Sequence, residues 1–244
     1  MNGGAVLKRN FMPAMLGWFR MTAETAVEDI EWMLARSAAF NAGYAFVTSY
    51  KAVNENAQSD RILKLLGEWE KARMADAFTK EQQELMKDLN NEFRLETVSE
   101  KAWNLIRIYS YKFRHEKKVR QPGEPLYSVF NYKNEVAEQP LLLSITAADG
   151  NVKDIIMEID NYKKIQWPVN LSAGQTIKFE GGPSAYIYDK NWKKIRQIPV
   201  DPKDLNISKG DHSLSFDCRF SGGQEANVKL ELRLLGEAEI LKAK

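Results

Sequence analysis

The sequence predicts an α+β protein in which an amino-terminal helical layer with two β-α units precedes an antiparallel β-sandwich. The first observation is a helical period: Val27, Ile30, Met33, Leu34 and Ala38 recur on one face, as do Ile62, Leu65, Leu66, Trp69 and Ala72. The second is a change of period near Phe93, after which short β-branched and aromatic runs alternate with polar residues as far as residue 235. The third is the punctuation between those runs, with turn residues at Pro122-Gly123, Asp149-Gly150, Gly181-Gly182-Pro183, Lys209-Gly210 and Gly222-Gly223. A chain of 244 residues can bury two cores, and the change of period divides it into a helical segment 1–92 and a sandwich 93–244.

Within the first segment, "MPAMLGWFRM" reads as a buried strand near residues 11–20. A helix follows, with Thr25 and Glu28 as a capping box, and Phe40 to Gly43 ends it. "YAFVTSY", residues 44–50, reads as a second buried strand, with the polar stretch "NENAQSD" leading to the helix centred on Leu65 and Trp69. Thr79 and Gln82 then open a third helix around Leu85, Met86 and Leu89. The order β-α-β-α belongs to a parallel sheet or barrel, which two strands cannot close.

In the second segment, strands are predicted over 103–113, 126–132, 140–147, 155–159, 165–171, 175–179, 185–188, 213–220 and 226–235. Val228, Leu230, Leu232 and Leu234 are expected to face the core, with Lys229, Glu231 and Arg233 in water. Cys218, the single cysteine, shares a face with Leu214, Phe216 and Phe220; it reads as a buried thiol and excludes an intrachain disulfide.

A formal net charge of +2 gives no global attraction to nucleic acid or membrane, and no apolar run approaches the roughly 18 residues of a spanning helix. Lys8, Arg9, Pro13 and Arg20 interrupt the amino-terminal apolar residues, so a cleaved leader is not expected.

Several local clusters have ordinary explanations. Glu24, Glu28, Asp29 and Glu31 complement a helix amino terminus. His115 and His212 lack the clustered partners of a zinc site. A calcium site using Asp160 or Asp189 stays open as an alternative to no cofactor, because its oxygen ligands leave no sequence pattern. Seven Lys or Arg residues against one acid, Glu116, lie between 101 and 120; such a stripe suits an acidic polysaccharide or nucleic acid, but Arg107 lies on the opposite face from Lys112 and Arg114, so a solvated strand face is expected. No phosphate-binding Gly-rich loop, GxSxG elbow or Cys-His pair is present.

The segments "LGWFRM", "AVEDIEWMLARSAAFNAGYAFVTS" and "ILKLLGEWEKAR" resemble the last two β-α units of the (β/α)8 barrel in glycoside hydrolases of gut Bacteroidetes. "QWPVNLSAGQTIKFEGGPSAYIYDKNWKKI" resembles the galactose-binding-like β-sandwich, a jelly roll, that often ends such enzymes. The resemblance implies a remnant of the barrel joined to that sandwich, the carboxy-terminal portion of a periplasmic or extracellular enzyme of polysaccharide utilisation, with a truncated gene as one origin. Barrel catalytic groups lie at the carboxyl ends of strands, here Trp18, Arg20 and Met21, then Thr48, Ser49 and Tyr50. None is a carboxylate, whereas glycosidases generally need two. Trp18, Arg20 and Tyr50 are therefore expected at most to shape a sugar pocket.

Tyr186, Tyr188 and Trp192 edge the hairpin "AGQTIKFEGGPSAYIYDKNW", where they form either a sugar-stacking platform or sandwich packing; packing with weak sugar affinity is expected. The reading is thus a non-catalytic, structural or weakly carbohydrate-binding part of a glycoside-hydrolase-like protein, or a free-standing module for polysaccharide or protein with a helical cap. Polysaccharide is the expected partner, without nucleic acid or membrane. The two apolar strands imply a homodimer or packing of the amino-terminal segment on the chain itself.

Overall fold

The structure is a computed structural model that describes residues 14–117, 125–222 and 226–243. The start of the predicted first strand, the leader region, the Pro122-Gly123 turn, Gly223, Lys118 and Arg120 lie outside the described residues. In chain order the elements are β1 (Met15–Arg20), α1 (Val27–Phe40), β2 (Gly43–Val47), α2 (Tyr50–Glu55), α3 (Ser59–Met74), α4 (Lys80–Lys87), β3 (Glu92–Ser99), β4 (Ala102–Glu116) and β5 (Ser128–Asn134). There follow β6 (Gln139–Pro140), β7 (Leu142–Asp149), β8 (Asn151–Ile159), β9 (Lys163–Leu171), β10 (Thr176–Phe179), β11 (Ser184–Tyr188), β12 (Lys194–Pro199), β13 (Asn206–Ile207), β14 (Gly210–Ser221) and β15 (Asn227–Lys242). Strand makes up 52% of the described residues, so the α+β expectation holds with a strong weighting to β. Two compact units result, one of Met1–Ile108 with Glu237–Lys244 and the other of Tyr109–Gly236.

In the first unit β1 and β2 pair in parallel through the α1 crossover, with Trp18 opposite Ala45 and Arg20 opposite Val47. Both strands were expected to be buried on both sides, yet Met15, Trp18, Arg20 and Val47 are exposed. Phe19, Tyr44 and Phe46 pack toward the helical core, leaving the alternate residues uncovered. The cap of α1 lies one residue beyond the predicted Thr25–Glu28 box: Asp29 Oδ2 accepts from the Ala26 N–H at 3.3 Å, while Thr25 Oγ1 accepts from Thr22 N–H at 2.8 Å. Asn41, in the left-handed region with φ 43°, ends the helix. The short α2 lies where a strand end and polar loop were read, because Ser49 Oγ caps it by accepting from Ala52 N–H. The Thr79–Gln82 box at α4 forms reciprocally, at 3.2 and 2.9 Å. Met86 is buried on α4, but Leu85 and Leu89 are exposed.

A carboxylate ties α3 to the antiparallel β3–β4 pair. Glu68 accepts from Lys71 Nζ at 2.7 Å, Trp103 Nε1 at 3.0 Å and Thr97 Oγ1 at 3.1 Å. The Lys71 hydrogen bond above all, with those from Trp103 and Thr97, holds its pKa below the usual carboxylate range against the opposing effect of burial. A lowered folded pKa means that this stabilisation is complete above the unfolded value of about 4.3 and disappears as pH falls through the folded value. Thermal unfolding followed from pH 6 to pH 3 should therefore show a smaller acid-dependent loss in Glu68→Gln than in the parent. An identical acid dependence in both would refute this role for Glu68.

In the second unit two sheets face each other around one core. Leu143, Ile145, Val228, Leu230, Ile177 and Ile187 from β7, β15, β10 and β11 meet Ile155, Met157, Ile165, Trp167, Leu214 and Phe216 from β8, β9 and β14. The four-stranded sheet runs β5-β14-β8-β9; the other is the seven-stranded sheet β12-β11-β10-β7-β15-β4-β3, of which β3 and β4 up to Ile108 count with the first unit. The period-2 pattern produces this packing, since alternate side chains enter the core. The Asp149-Gly150 turn joins β7 to β8, and Gly150 has φ 96°; a Cβ there would meet Ala226 Cβ at 2.8 Å, which accounts for glycine at this turn. Several expectations need correction. β8 begins at Asn151, strands β3 and β12 were not anticipated, and Arg233 is buried beside Glu231 rather than facing water. Cys218 is only partly buried, and burial with the neighbouring Asp217 raises its pKa to about 12, so the thiol stays protonated and poorly nucleophilic.

Candidate functional site

The six residues singled out from the sequence fall in two separate places. In the first unit, the carboxyl ends of β1 and β2 open on a cleft of about 520 Å³ lined by Arg20, Thr22, Thr48, Ser49, Lys51 and Glu55 among others. The parallel pairing and the α1 crossover create it, because both chains leave the sheet at the same end. Thr48 Oγ1 donates to the Met21 carbonyl at 3.3 Å and steadies the rim. Arg20 lies in the cleft lining, whereas Trp18 and Tyr50 are 79% and 87% exposed and do not line it. Its one lining carboxylate, Glu55, faces Lys51 at 3.8 Å. The cleft can offer a guanidinium, hydroxyls and an ion pair to a polar ligand.

In the second unit the hairpin aromatics share the face of the seven-stranded sheet opposite its core. Ala185 and Ile187 enter the core, so Tyr186 and Tyr188 emerge on the other side. Tyr188 is nevertheless buried. It lies 6.1 Å from Trp192 and 6.4 Å from Tyr186, with ring planes inclined at 58° and 59°. The Asp189–Lys193 turn carries Trp192 back to the sheet: Asp189 Oδ1 accepts the N–H groups of Asn191 and Lys193, both at 2.9 Å. Trp192 has φ 62°, a conformation unfavourable for an L-residue, and its ring centre lies 5.7 Å from the ammonium of Lys178. Lys194 Nζ stands 4.0 Å over Tyr186. Inclined rings with ammonium groups against two of them are a cation–π cluster, a different arrangement from coplanar rings stacked on a sugar.

A second concavity in this unit, about 780 Å³, contains Tyr132, Asp160 and His212, which the sequence reading did not join. Asp160 Oδ2 meets His212 Nδ1 at 2.7 Å, Asp160 Oδ1 accepts from Ser213 N–H at 2.8 Å, and His212 Nε2 meets the Ser208 carbonyl at 2.8 Å. With both ring nitrogens facing acceptors, neither is placed to take a proton from a substrate, and the pair acts as a clasp between the β8–β9 turn and β14. Burial, and then the Asp160 charge, raise the Tyr132 phenol well above its ordinary pKa, keeping it neutral. Both Asp160 oxygens thus already serve local hydrogen bonds, as does Asp189 Oδ1. Among the described residues no group of three or more His, Cys, Asp or Glu side chains is arranged to hold a metal ion.

The sequence reading also missed a basic groove on the outer sheet face. Lys112 and Arg114 on β4 lie beside Ser144 and Thr146 on β7 and Lys229 and Glu231 on β15. The parity of each strand was readable, but their adjacency depends on strand order.

No family model matches the chain, and no curated protein matches it. Several solved chains show remote likeness. The structure of the infectious bursal disease virus Gx strain is 11% identical over 57% of this chain and 38% of that one, with a TM-score of 0.23. A structure from work on botulinum neurotoxin type C and its interaction with two ganglioside molecules is 13% identical over 64% and 48%, with a TM-score of 0.21. This chain spans less than half of either, and at such TM-scores neither likeness carries weight.

Proposed function

We propose that the chain is a non-catalytic, carboxy-terminal part of a glycoside-hydrolase-like protein whose β-sandwich, of galactose-binding-like jelly-roll type, has a structural or weakly carbohydrate-binding role. The observation that carries this reading is the parallel β1-α1-β2 unit with a polar cleft at its carboxyl ends, the position at which barrel enzymes hold substrate. In this reading Arg20 lines the sugar-facing cleft, with Trp18 and Tyr50 on the exposed surface of the same unit. Self-association through the uncovered face of β1 and β2 is part of the proposal, since a two-stranded sheet is marginal alone.

The full chain should show no turnover on a panel of aryl glycosides and millimolar-range affinity for a polysaccharide, about −4 kcal/mol by calorimetry. Sedimentation equilibrium at rising concentration should reveal association that weakens in Trp18→Ser. Turnover abolished by replacing one acid of this chain would overturn the non-catalytic role, and absence of binding to any glycan would remove the carbohydrate role.

A free-standing module with a helical cap is the second reading. It is favoured by the closed helical core of the first unit, in which Trp69, Trp103, Met33 and Met86 are almost wholly buried.

A further inference from the structure

We propose that the outer face of the seven-stranded sheet, within Tyr109–Gly236, binds an anionic polysaccharide bearing carboxylate or sulfate groups along the groove formed by β4, β15 and β7. The inference rests on the carbohydrate-binding role proposed above and adds the class of sugar and its site. The groove has a volume of about 400 Å³, and its polar lining is Lys112, Arg114, Ser144, Thr146, Lys229 and Glu231.

Strand register sets this lining on the same face as residues farther across the sheet. Lys229 pairs with Thr146, Thr146 with Thr176, Thr176 with Tyr188, and Tyr188 with Lys194. The neighbouring row runs Glu231, Ser144, Lys178, Tyr186 and Gln197. Residues paired across strands present their side chains on one face, but Thr176, Lys178 and Tyr188 are buried, so the accessible site ends at Ser144 and Thr146 and is a groove across three strands.

The groove's charge favours an anion. Lys112, Arg114 and Lys229 are exposed, against Glu231 as the single acid in the lining. Glu231 already accepts from Ser110 Oγ at 3.0 Å and lies 3.5 Å from Arg233 Nε. Arg114 meets Glu116 at 3.4 Å, but both side chains are about half exposed, so that pair is weak and readily exchanged for a ligand anion. Ammonium and guanidinium groups beside the Ser144 and Thr146 hydroxyls can make charge-assisted hydrogen bonds to carboxylate or sulfate while leaving donors and acceptors for sugar hydroxyls.

The lining also distinguishes polysaccharide from single-stranded nucleic acid, which binds through rings that stack on bases. Phe113, the aromatic residue of the groove lining, stacks on Phe130 at 4.5 Å and packs against the sandwich core. Tyr186, on the same sheet face beyond the groove, already has the Lys194 ammonium over its ring.

Affinity electrophoresis of the full chain in gels containing polygalacturonate, chondroitin sulfate, neutral galactan or poly(U) tests the proposal. Retardation is expected with polygalacturonate or chondroitin sulfate, the two arms separating carboxylate from sulfate, and it should diminish as salt rises. Lys112→Glu with Lys229→Glu should weaken retention about tenfold, as expected when two exposed charge contacts become repulsive. Lys153→Glu with Lys164→Glu, the same charge change on the four-stranded sheet, should preserve it. Near-ultraviolet circular dichroism checks folding, and Arg114→Gln replaces the double variant if that variant does not fold. Equal retention in galactan, unaffected by the groove variant, would overturn the anionic class while leaving a sugar-binding sandwich. Loss of retention in every glycan would overturn both readings, and poly(U) retention abolished by the groove variant would reassign the groove to nucleic acid.

Discussion

Replacing Trp69 with alanine should lower the unfolding free energy by about 3–5 kcal/mol, the scale of a large buried aromatic truncation. Trp69 is 1% exposed in the helical core and stacks on Phe78 at 5.8 Å with planes 13° apart. Alanine would remove both the ring's apolar burial and that stack, on a helix whose Ile62 and Ala72 leave little room for collapse. Trp69→Phe distinguishes packing from polar effects. The indole Nε1–H meets no acceptor among the described residues, so phenylalanine deletes an unsatisfied donor while keeping a ring, for a net loss of about 1 kcal/mol. Denaturant unfolding measured by far-ultraviolet circular dichroism gives both values. A Trp69→Ala loss below about 1 kcal/mol would mean that this core is not organised around the ring.

Tyr188→Ala should produce the second large loss, about 3 kcal/mol, because Tyr188 is 5% exposed and sits between Tyr186 and Trp192. Trp192→Ala should cost less, about 1–2 kcal/mol, since that ring is only partly buried and alanine inherits the strained φ of 62°. Trp192→Gly should recover roughly 1 kcal/mol of this deficit, because glycine tolerates the left-handed region. Chemical denaturation of the three variants, with calorimetry against a neutral galactan, separates packing from a stacking platform. Unchanged stability in Tyr188→Ala with abolished galactan binding would establish a platform and refute the cation–π cluster as the hairpin's organising feature.

The hairpin illustrates how far local pattern reaches. Alternation in "SAYIY" is enough to set Tyr186 and Tyr188 on the face opposite Ala185 and Ile187, because side-chain direction in a strand is a local property. Whether that face is covered is not local. Tyr188 is buried because a turn built on Asp189, Asn191 and Lys193 returns Trp192 over the sheet, and the left-handed backbone at a tryptophan leaves no compositional signal. A strand over 11–20 likewise follows from its apolar run, but "buried on both sides" assumes neighbours, and α1 covers only one face of β1 and β2. The cap of α1 lies one residue beyond the Thr25–Glu28 pattern because Thr25 Oγ1 is engaged by the Thr22 N–H, while Asp29, which does not fit that pattern, accepts from the Ala26 N–H.

Local sequence pattern accounts for the long helices, most sandwich strands and the Thr79–Gln82 cap, all of which depend on interactions within a few residues. The Arg20 cleft, the Asp160–His212 clasp and the groove joining Lys112 to Lys229 depend on strand order and register between segments up to more than a hundred residues apart. Backbone geometry restricts near neighbours directly, whereas distant strands are brought together by burial of their apolar faces, a force that is largely non-directional and does not state in one dimension which strands will be adjacent.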